Sequence, residues 1–242
     1  MIIEKTMIGS ATWKEFDTKK RITFAPVIQF SKVLGFRPAF VVPVKQRSWS
    51  IKPEKIEEKT VQYRNSEYHL LRKTYKDFVT YYAKKSWING AIFQWELQRL
   101  STYLKQKTPN TKYILMLDNV RSHVATKFDN LKLLFLPPNT TAQTQPLDCS
   151  VFAVLKNKYS KWLMHETLLV GPENLRLQTC VASFAKIFKE LDVRCSNNGF
   201  RKTGLSLFQS EPTIETELTH EEQVMNLIER MDKFQCSDSE EE

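Results

Sequence analysis

The chain has 242 residues, of which 41% are hydrophobic and 12% aromatic, so it is long and apolar enough for one large domain with a sizeable core. No apolar run approaches the roughly 18–20 residues that cross a bilayer, and the first residues lack the hydrophobic segment of a signal peptide, so no membrane is expected as a partner. The four cysteines are scattered without CxxC spacing, which indicates neither a zinc ribbon nor a disulfide framework, and we expect an intracellular protein.

The formal net charge of +9 is unevenly distributed along the chain. Residues 210–242 hold eleven acidic and two basic residues, whereas residues 1–209 hold 34 basic and 16 acidic residues, a net charge of +18. A body this basic attracts polyanions, and nucleic acid is the obvious candidate. The alternative is a lysine-rich surface that binds nothing specific.

The first predicted elements are two strands. Residues 21–30 and 38–44 are rich in β-branched and aromatic residues, and Gly35 predicts a turn between them. Residues 48–69 are polar, charged and aperiodic, so they predict a surface insertion or a long loop.

A strand, a helix and two further strands are predicted next. A short strand over residues 78–82 precedes helical spacing of apolar residues over residues 89–107, with Asn89 placed to act as the N-cap. Residues 112–118 predict a strand buried on both faces, and residues 131–136 predict a second such strand. A short helix around residues 122–128 would connect them, which predicts a right-handed crossover and a partly parallel sheet.

The last third of the chain is predicted to be mainly helical. Residues 149–166 place apolar residues on one helical face, and residues 177–193 form another amphipathic pattern. Residues 197–205 predict a turn-rich junction, and residues 220–234 a short helix. The sequence ends in SDSEEE, which predicts an acidic, disordered terminus.

Two aspartates stand where the predicted topology would place ligands. Asp118 ends an apolar strand, and Asp148 follows 30 positions later. Carboxylates at the ends of strands in such a sheet border the crevice where ligands bind, and two of them can hold divalent metal ions. The alternatives are a turn at Asp118, helped by Asn119, and an N-cap role for Asp148. A strand ending in Asp also occurs in P-loop proteins, but the chain has no GxxxxGK[ST] motif.

Three segments carry a resemblance to a known family: SWINGAIFQWELQRL, ILMLDNVRSH and LKLLFLPPNTTAQTQPLDCSVFAVLKNKY. Together they resemble the DDE endonuclease domain of pogo/Tigger-like transposases, a group that includes Jerky-like and centromere protein B-like relatives. The family pattern is an apolar strand with Asp-Asn-x-x-Ser-His, then Leu-Pro-Pro-Asn-Thr-Thr, then Gln-Pro-Leu-Asp. NNGFRKTGL also looks like the segment after the last acid, so the resemblance covers about residues 20–205.

The resemblance implies an α/β fold of the ribonuclease H-like type, a mixed sheet flanked by helices. Such domains cut DNA and join its ends with three acids and a divalent metal, Mg²⁺ or Mn²⁺. Asp118 and Asp148 match the second and third acids and would bind the metal. Asn119 and His123 would position ligands or phosphate beside it, although His123 could equally make a structural hydrogen bond.

The first acid of the family pattern has no clear counterpart. The family has an Asp-Glu-Thr-Gly-like motif, whereas this chain has IIEKTMI, in which Glu4 takes the place of Asp and Met7 that of glycine. Asp17 is another nearby acid, but it lies in a charged stretch that is expected to face solvent. Glu4 is therefore the candidate, and without it the site lacks its first acid.

These observations predict a DDE domain over residues 1–205, with a linker, a short helix and an acidic tail over residues 206–242. The family's preceding helix-turn-helix region is missing from this sequence, which suggests a remnant or a domesticated derivative. The expected function is DNA binding, with metal-dependent cleavage and strand transfer if the three acids are complete. The alternative is an inactive module that contacts DNA, or proteins through the C-terminal helix and tail. A nuclear location is expected, with the cytoplasm as the alternative.

Overall fold

The computed structural model describes residues 22–30, 34–44, 49–84, 86–118, 126–137 and 144–205, together with the backbone of Lys5–Thr6. The predictions for residues 122–125 and 206–242, which include the C-terminal helix and the acidic tail, lie outside the described residues. Among the helices that are described, none is both long and apolar enough to cross a lipid bilayer.

Within these ranges the chain forms eight strands and four α-helices. The strands are β1 (Lys5–Thr6), β2 (Thr23–Ala25), β3 (Ala39–Pro43), β4 (Lys55–Tyr63), β5 (Ser66–Thr74), β6 (Val79–Ala83), β7 (Tyr113–Leu117) and β8 (Leu131–Phe135). The helices are α1 (Gly90–Lys107), α2 (Phe152–Val170), α3 (Leu177–Lys189) and α4 (Val193–Lys202). A π-helical turn (Leu147–Val151) leads into α2, and a 3₁₀ turn (Pro172–Asn174) follows it.

The strands form a six-stranded sheet, in the order β1-β2-β3-β6-β5-β4, and a two-stranded sheet of β7 and β8. The larger sheet is mixed, because β3 and β6 run parallel whereas the other neighbours are antiparallel. β7 and β8 are parallel, with Tyr113 opposite Leu131. The predicted α/β class with a mixed sheet and flanking helices is confirmed.

Strand residues alternate between two apolar cores, which gives three layers. One core joins α1 to the first face of the sheets, with Ala25, Val41, Val79, Phe93, Leu97, Leu115 and Leu117 among its members. The other core joins α2, α3 and α4 to the opposite face, with Phe24, Phe40, Tyr82, Leu155, Phe184 and Phe200 among its members. The larger sheet is therefore covered by helices on both of its faces.

Helix α1 begins where the sequence predicted. The side-chain oxygen of Asn89 accepts a hydrogen bond from the backbone N–H of Ile92 at 2.9 Å, which satisfies one of the free donors of the first turn. Lys105 and Lys107 lie in the last turn, where positive charge is favourable. The predicted N-cap and helix are confirmed.

Residues 48–69 were predicted to be a surface insertion or a long loop, and a loop is wrong for most of that range, because β4 and β5 form a hairpin. The two strands of nine residues pair from Lys55 opposite Thr74 to Tyr63 opposite Ser66. β5 pairs with β6 only from Arg72 to Thr74, so most of the hairpin extends beyond the sheet. Few of its side chains are buried, and the apolar alternation that marks a strand is therefore missing.

Two further predictions need correction. Residues 197–205 are mostly helical rather than a turn-rich junction: α4 starts after Asp192, whose side chain accepts from the backbone N–H of Arg194 at 2.8 Å. The strand predicted over residues 112–118 is confirmed as β7, but it is buried on one face only, because Ile114 is 38% exposed.

Candidate functional site

Asp118 directly follows the last residue of β7. Leu115 and Leu117 face the core that contains α1, whereas Met116 packs against the opposite core. Asp118 is two residues beyond Met116, so the alternation of a strand directs it to the same side as Met116. Asp118 is only 8% exposed, and its Oδ1 atom is shielded from solvent.

Asp148 lies in the π-helical turn that precedes α2. The backbone N–H groups of Asp148 and Cys149 both donate to the carbonyl oxygen of Gln145, at 3.0 and 3.1 Å. Pro146 is already in a helical conformation, and neither the π-helical turn nor α2 has a side-chain cap. The N-cap interpretation of Asp148 is therefore wrong, because the chain has become helical before the aspartate is reached. π-Helical turns within helices occur frequently at functional sites.

Helix α4 holds this turn in place. Gly199 lies against the backbone of Pro146 so closely that a Cβ atom at position 199 would overlap the Pro146 carbonyl group. The Lys202 ammonium donates to the carbonyl oxygen of Cys149 at 3.4 Å. Sequence reasoning missed both contributions. The signal that could have found the first is an isolated glycine in a segment that is otherwise able to form a helix.

The ends of β7 and β8 both lie close to the core that contains α2, α3 and α4. The backbone N–H of Leu136 donates to the carbonyl oxygen of Leu117 at 2.6 Å. Leu136 packs with Met116 and Leu205, and the last two also contact the core that includes Leu147. The structure thus places Asp118 and Asp148 on the same side of the sheets, each next to residues of one shared core.

The surroundings of Asp148 include both signs of charge. Burial, and then the negative charge of Asp148, raise the pKa of the Cys149 thiol, whereas Lys202 opposes that rise. Lys202 and Arg201 are both exposed, so their cationic groups are available to a ligand.

The remaining predicted site residues cannot be placed in the same way. Glu4, Asn119 and His123 lie outside the described residues. Lys5, which follows Glu4, pairs with Phe24 at the edge of the larger sheet. Across the described ranges, no group of three or more His, Cys, Asp or Glu residues could hold a metal ion. The oxygen donors of Asp118 and Asp148 nonetheless have the right chemistry for Mg²⁺ or Mn²⁺.

The comparison with known families decides the class of protein. A family model described as DDE superfamily endonuclease matches residues 53–189, which is more than half of the chain. The chain belongs to the DDE endonuclease superfamily. The matched range of this DDE domain contains Asp118 and Asp148 but neither Glu4 nor Gly199. Endonucleases of this superfamily generally use divalent metal ions.

Among solved structures, the DDE domain is similar to the Mos1 transposase paired-end complex with left transposon end. The similarity has a TM-score of 0.39 and 17% sequence identity, and it covers 68% of this chain. It covers 48% of the Mos1 chain, so the present chain spans about half the length of that transposase.

Proposed function

We propose that this DDE domain binds DNA and holds a divalent metal ion, Mg²⁺ or Mn²⁺, between Asp118 and Asp148. The observation that carries the proposal is the position of the two carboxylates on one side of the sheets, Asp118 at the end of β7 and Asp148 in the π-helical turn. The resemblance of the motifs around them supports a place in the pogo/Tigger-like branch. DNA as the partner makes the nucleus the proposed location.

Each residue has a defined part in this proposal. Asp118 and Asp148 bind the metal through carboxylate oxygens, and Asn119 and His123 position ligands or phosphate beside them. The exposed Lys202 next to Cys149 binds a DNA phosphate at the rim of the site. An ion held by these residues would supply Lewis-acid polarisation of a phosphodiester oxygen, and a pair of such ions would activate the attacking oxygen and stabilise the leaving oxygen.

The experiment that tests the metal site is Mn²⁺ titration of the full chain by calorimetry or electron paramagnetic resonance. We expect Mn²⁺ binding to be lost in Asp118→Asn and in Asp148→Asn, because each change removes an anionic ligand. Asp129→Asn is the matched control, since the Asp129 side chain is 97% exposed and pairs with Lys105 in the layer of α1. Unchanged binding in both site variants would contradict the proposal.

An inactive DNA-binding module is the second candidate function. The observation that favours it is the weak match around Glu4, where lysine and methionine stand at positions 5 and 7 of the first motif. With two acids, the domain would still bind metal, but it would position reacting groups poorly for in-line attack. Nicking of supercoiled DNA in Mg²⁺, abolished by Glu4→Gln, would establish the endonuclease. Salt-dependent DNA binding without nicking would establish the inactive module.

A further inference from the structure

Gln145 is a buried polar side chain that no contact in the fold explains. The residue is fully buried, and neither its amide oxygen nor its amide nitrogen has a hydrogen-bond partner among the described residues. A glutamine amide can accept two hydrogen bonds and donate two, so all of this capacity is unused within the part of the chain that the structure describes. Buried amides in native structures are nearly always satisfied, so an exception calls for an explanation, and a bound ion is one of them.

Gln145 lies on the same turn of the chain as Asp148. The backbone hydrogen bonds from Asp148 and Cys149 to the Gln145 carbonyl group form one helical turn. Gln145 comes directly before Pro146, which is already in a helical conformation, so its side chain and that of Asp148 belong to the same turn of the chain. The contact between Pro146 and Gly199 fixes the backbone between them.

We infer that Gln145 is a further protein ligand of the divalent metal ion, through its amide oxygen. This inference rests on the proposed function, because it requires the metal between Asp118 and Asp148. An amide oxygen is an accepted ligand of hard cations. It adds a donor without adding a third negative charge to a buried site, and binding of the metal would satisfy an acceptor that is unsatisfied in the metal-free protein.

The test compares Mn²⁺ binding and thermal unfolding of the full chain with variants at position 145. Gln145→Met keeps the length of the side chain and removes both polar groups. We expect it to weaken Mn²⁺ binding about 10-fold or more, and to reduce the rise in Tm that Mn²⁺ produces. In the absence of metal, the same variant should be at least as stable as the wild type, because it removes an unsatisfied buried amide.

Gln145→Glu supplies a second measurement that does not depend on the methionine variant folding. It retains the oxygen donor and adds a charge, so Mn²⁺ binding should be equal to or tighter than that of the wild type. Gln98→Met, at an exposed position of α1, is the matched control and should change neither quantity.

The outcomes separate this inference from the proposed function. Loss of Mn²⁺ binding in Asp118→Asn and Asp148→Asn, together with wild-type binding in Gln145→Met, would overturn the inference and leave the metal site standing. Absence of Mn²⁺ binding by the wild type would overturn both. A metal-free Gln145→Met that is strongly destabilised, with an unchanged Mn²⁺ effect on Tm, would reduce Gln145 to a structural residue and also overturn the inference.

Discussion

Gly199 controls the position of a candidate ligand through the backbone. It belongs to α4, is buried, and meets the carbonyl group of Pro146 two residues before Asp148. Glycine normally weakens a helix by about 0.5–1 kcal/mol relative to alanine. Its presence within α4 is explained by the close approach of the two backbones, which a Cβ atom would prevent.

Gly199→Ala therefore tests whether this contact outweighs helix propensity. Alanine favours the helical conformation more than glycine does and should stabilise α4. Its Cβ atom would overlap Pro146, however, and moving the two backbones apart should cost about 1–3 kcal/mol. We expect a net loss of unfolding free energy in urea, together with weaker Mn²⁺ binding because Asp148 is displaced. Asn198→Ala, at an exposed position of the same helix, provides the reference. A Gly199→Ala variant as stable as this reference would refute the steric argument.

The residues of the site differ in how far the sequence could predict them. Asp118 and Asp148 were found because a strand end and a motif are properties of contiguous residues. Gln145 lies within the same motif, but only the packed structure shows that its amide is buried without a partner among the described residues. An isolated glycine in a helix-forming segment marks position 199 as unusual, but one sequence does not show that its partner is Pro146, more than 50 positions earlier in the chain.

At the scale of elements, a buried charged network connects the hairpin of β4 and β5 to α1. Glu96 is 1% exposed and accepts from the Tyr81 hydroxyl at 2.7 Å and from the Arg99 guanidinium at 2.9 Å. Arg72 donates to Tyr81 at 3.4 Å and to Glu57 at 2.8 Å. Burial lowers the pKa of Arg99, but the charge and hydrogen bonds of Glu96 outweigh burial and raise it, so Arg99 stays charged.

Glu96→Gln should be strongly destabilising, because it removes the anion that compensates a buried guanidinium. Breaking a buried ion pair in this way costs about 3–5 kcal/mol. Urea unfolding monitored by circular dichroism gives the measurement. Glu190→Gln is the control, since Glu190 forms an exposed pair with Lys186 at 4.0 Å and should lose less than about 0.5 kcal/mol. Equal stability of the two variants would show that the network contributes nothing.

The sequence could predict the elements that bury an apolar face, but not those held by polar contacts or by distant packing. α1 was identified because one face is buried and the apolar residues therefore repeat with helical spacing. The hairpin of β4 and β5 is held by backbone pairing and by polar contacts such as that between Arg72 and Glu57, which leave no apolar period. α4 escaped prediction because Asn-Asn-Gly favours turns locally, whereas packing of Phe200 and Gly199 stabilises the helix.

At the scale of the whole molecule, positive charge is spread over the described surface and includes the helices that follow Asp148. The net charge of residues 1–209 is +18, and that of residues 210–242 is −9. Exposed cations follow Asp148 along α2 and recur on α4: Lys156, Lys158, Lys161, Arg201 and Lys202. A duplex approaching the two carboxylates would therefore meet positive charge on the neighbouring helices, which favours phosphate contacts.

Binding of a short DNA duplex to the full chain should weaken steeply as salt is raised from about 50 to 200 mM, because each neutralised phosphate releases counterions. Lys202→Gln should weaken binding and reduce the slope of log K against log salt by about 1, as expected for one lost phosphate contact. Lys105→Gln is the matched control, since Lys105 lies on α1 in the opposite layer and pairs with Asp129 at 3.2 Å. A flat salt response of the wild type would refute DNA binding through the basic body. An equal change of slope in both variants would instead show that the contacts are spread over the body, because a duplex centred on Asp118 and Asp148 cannot depend equally on both helical layers.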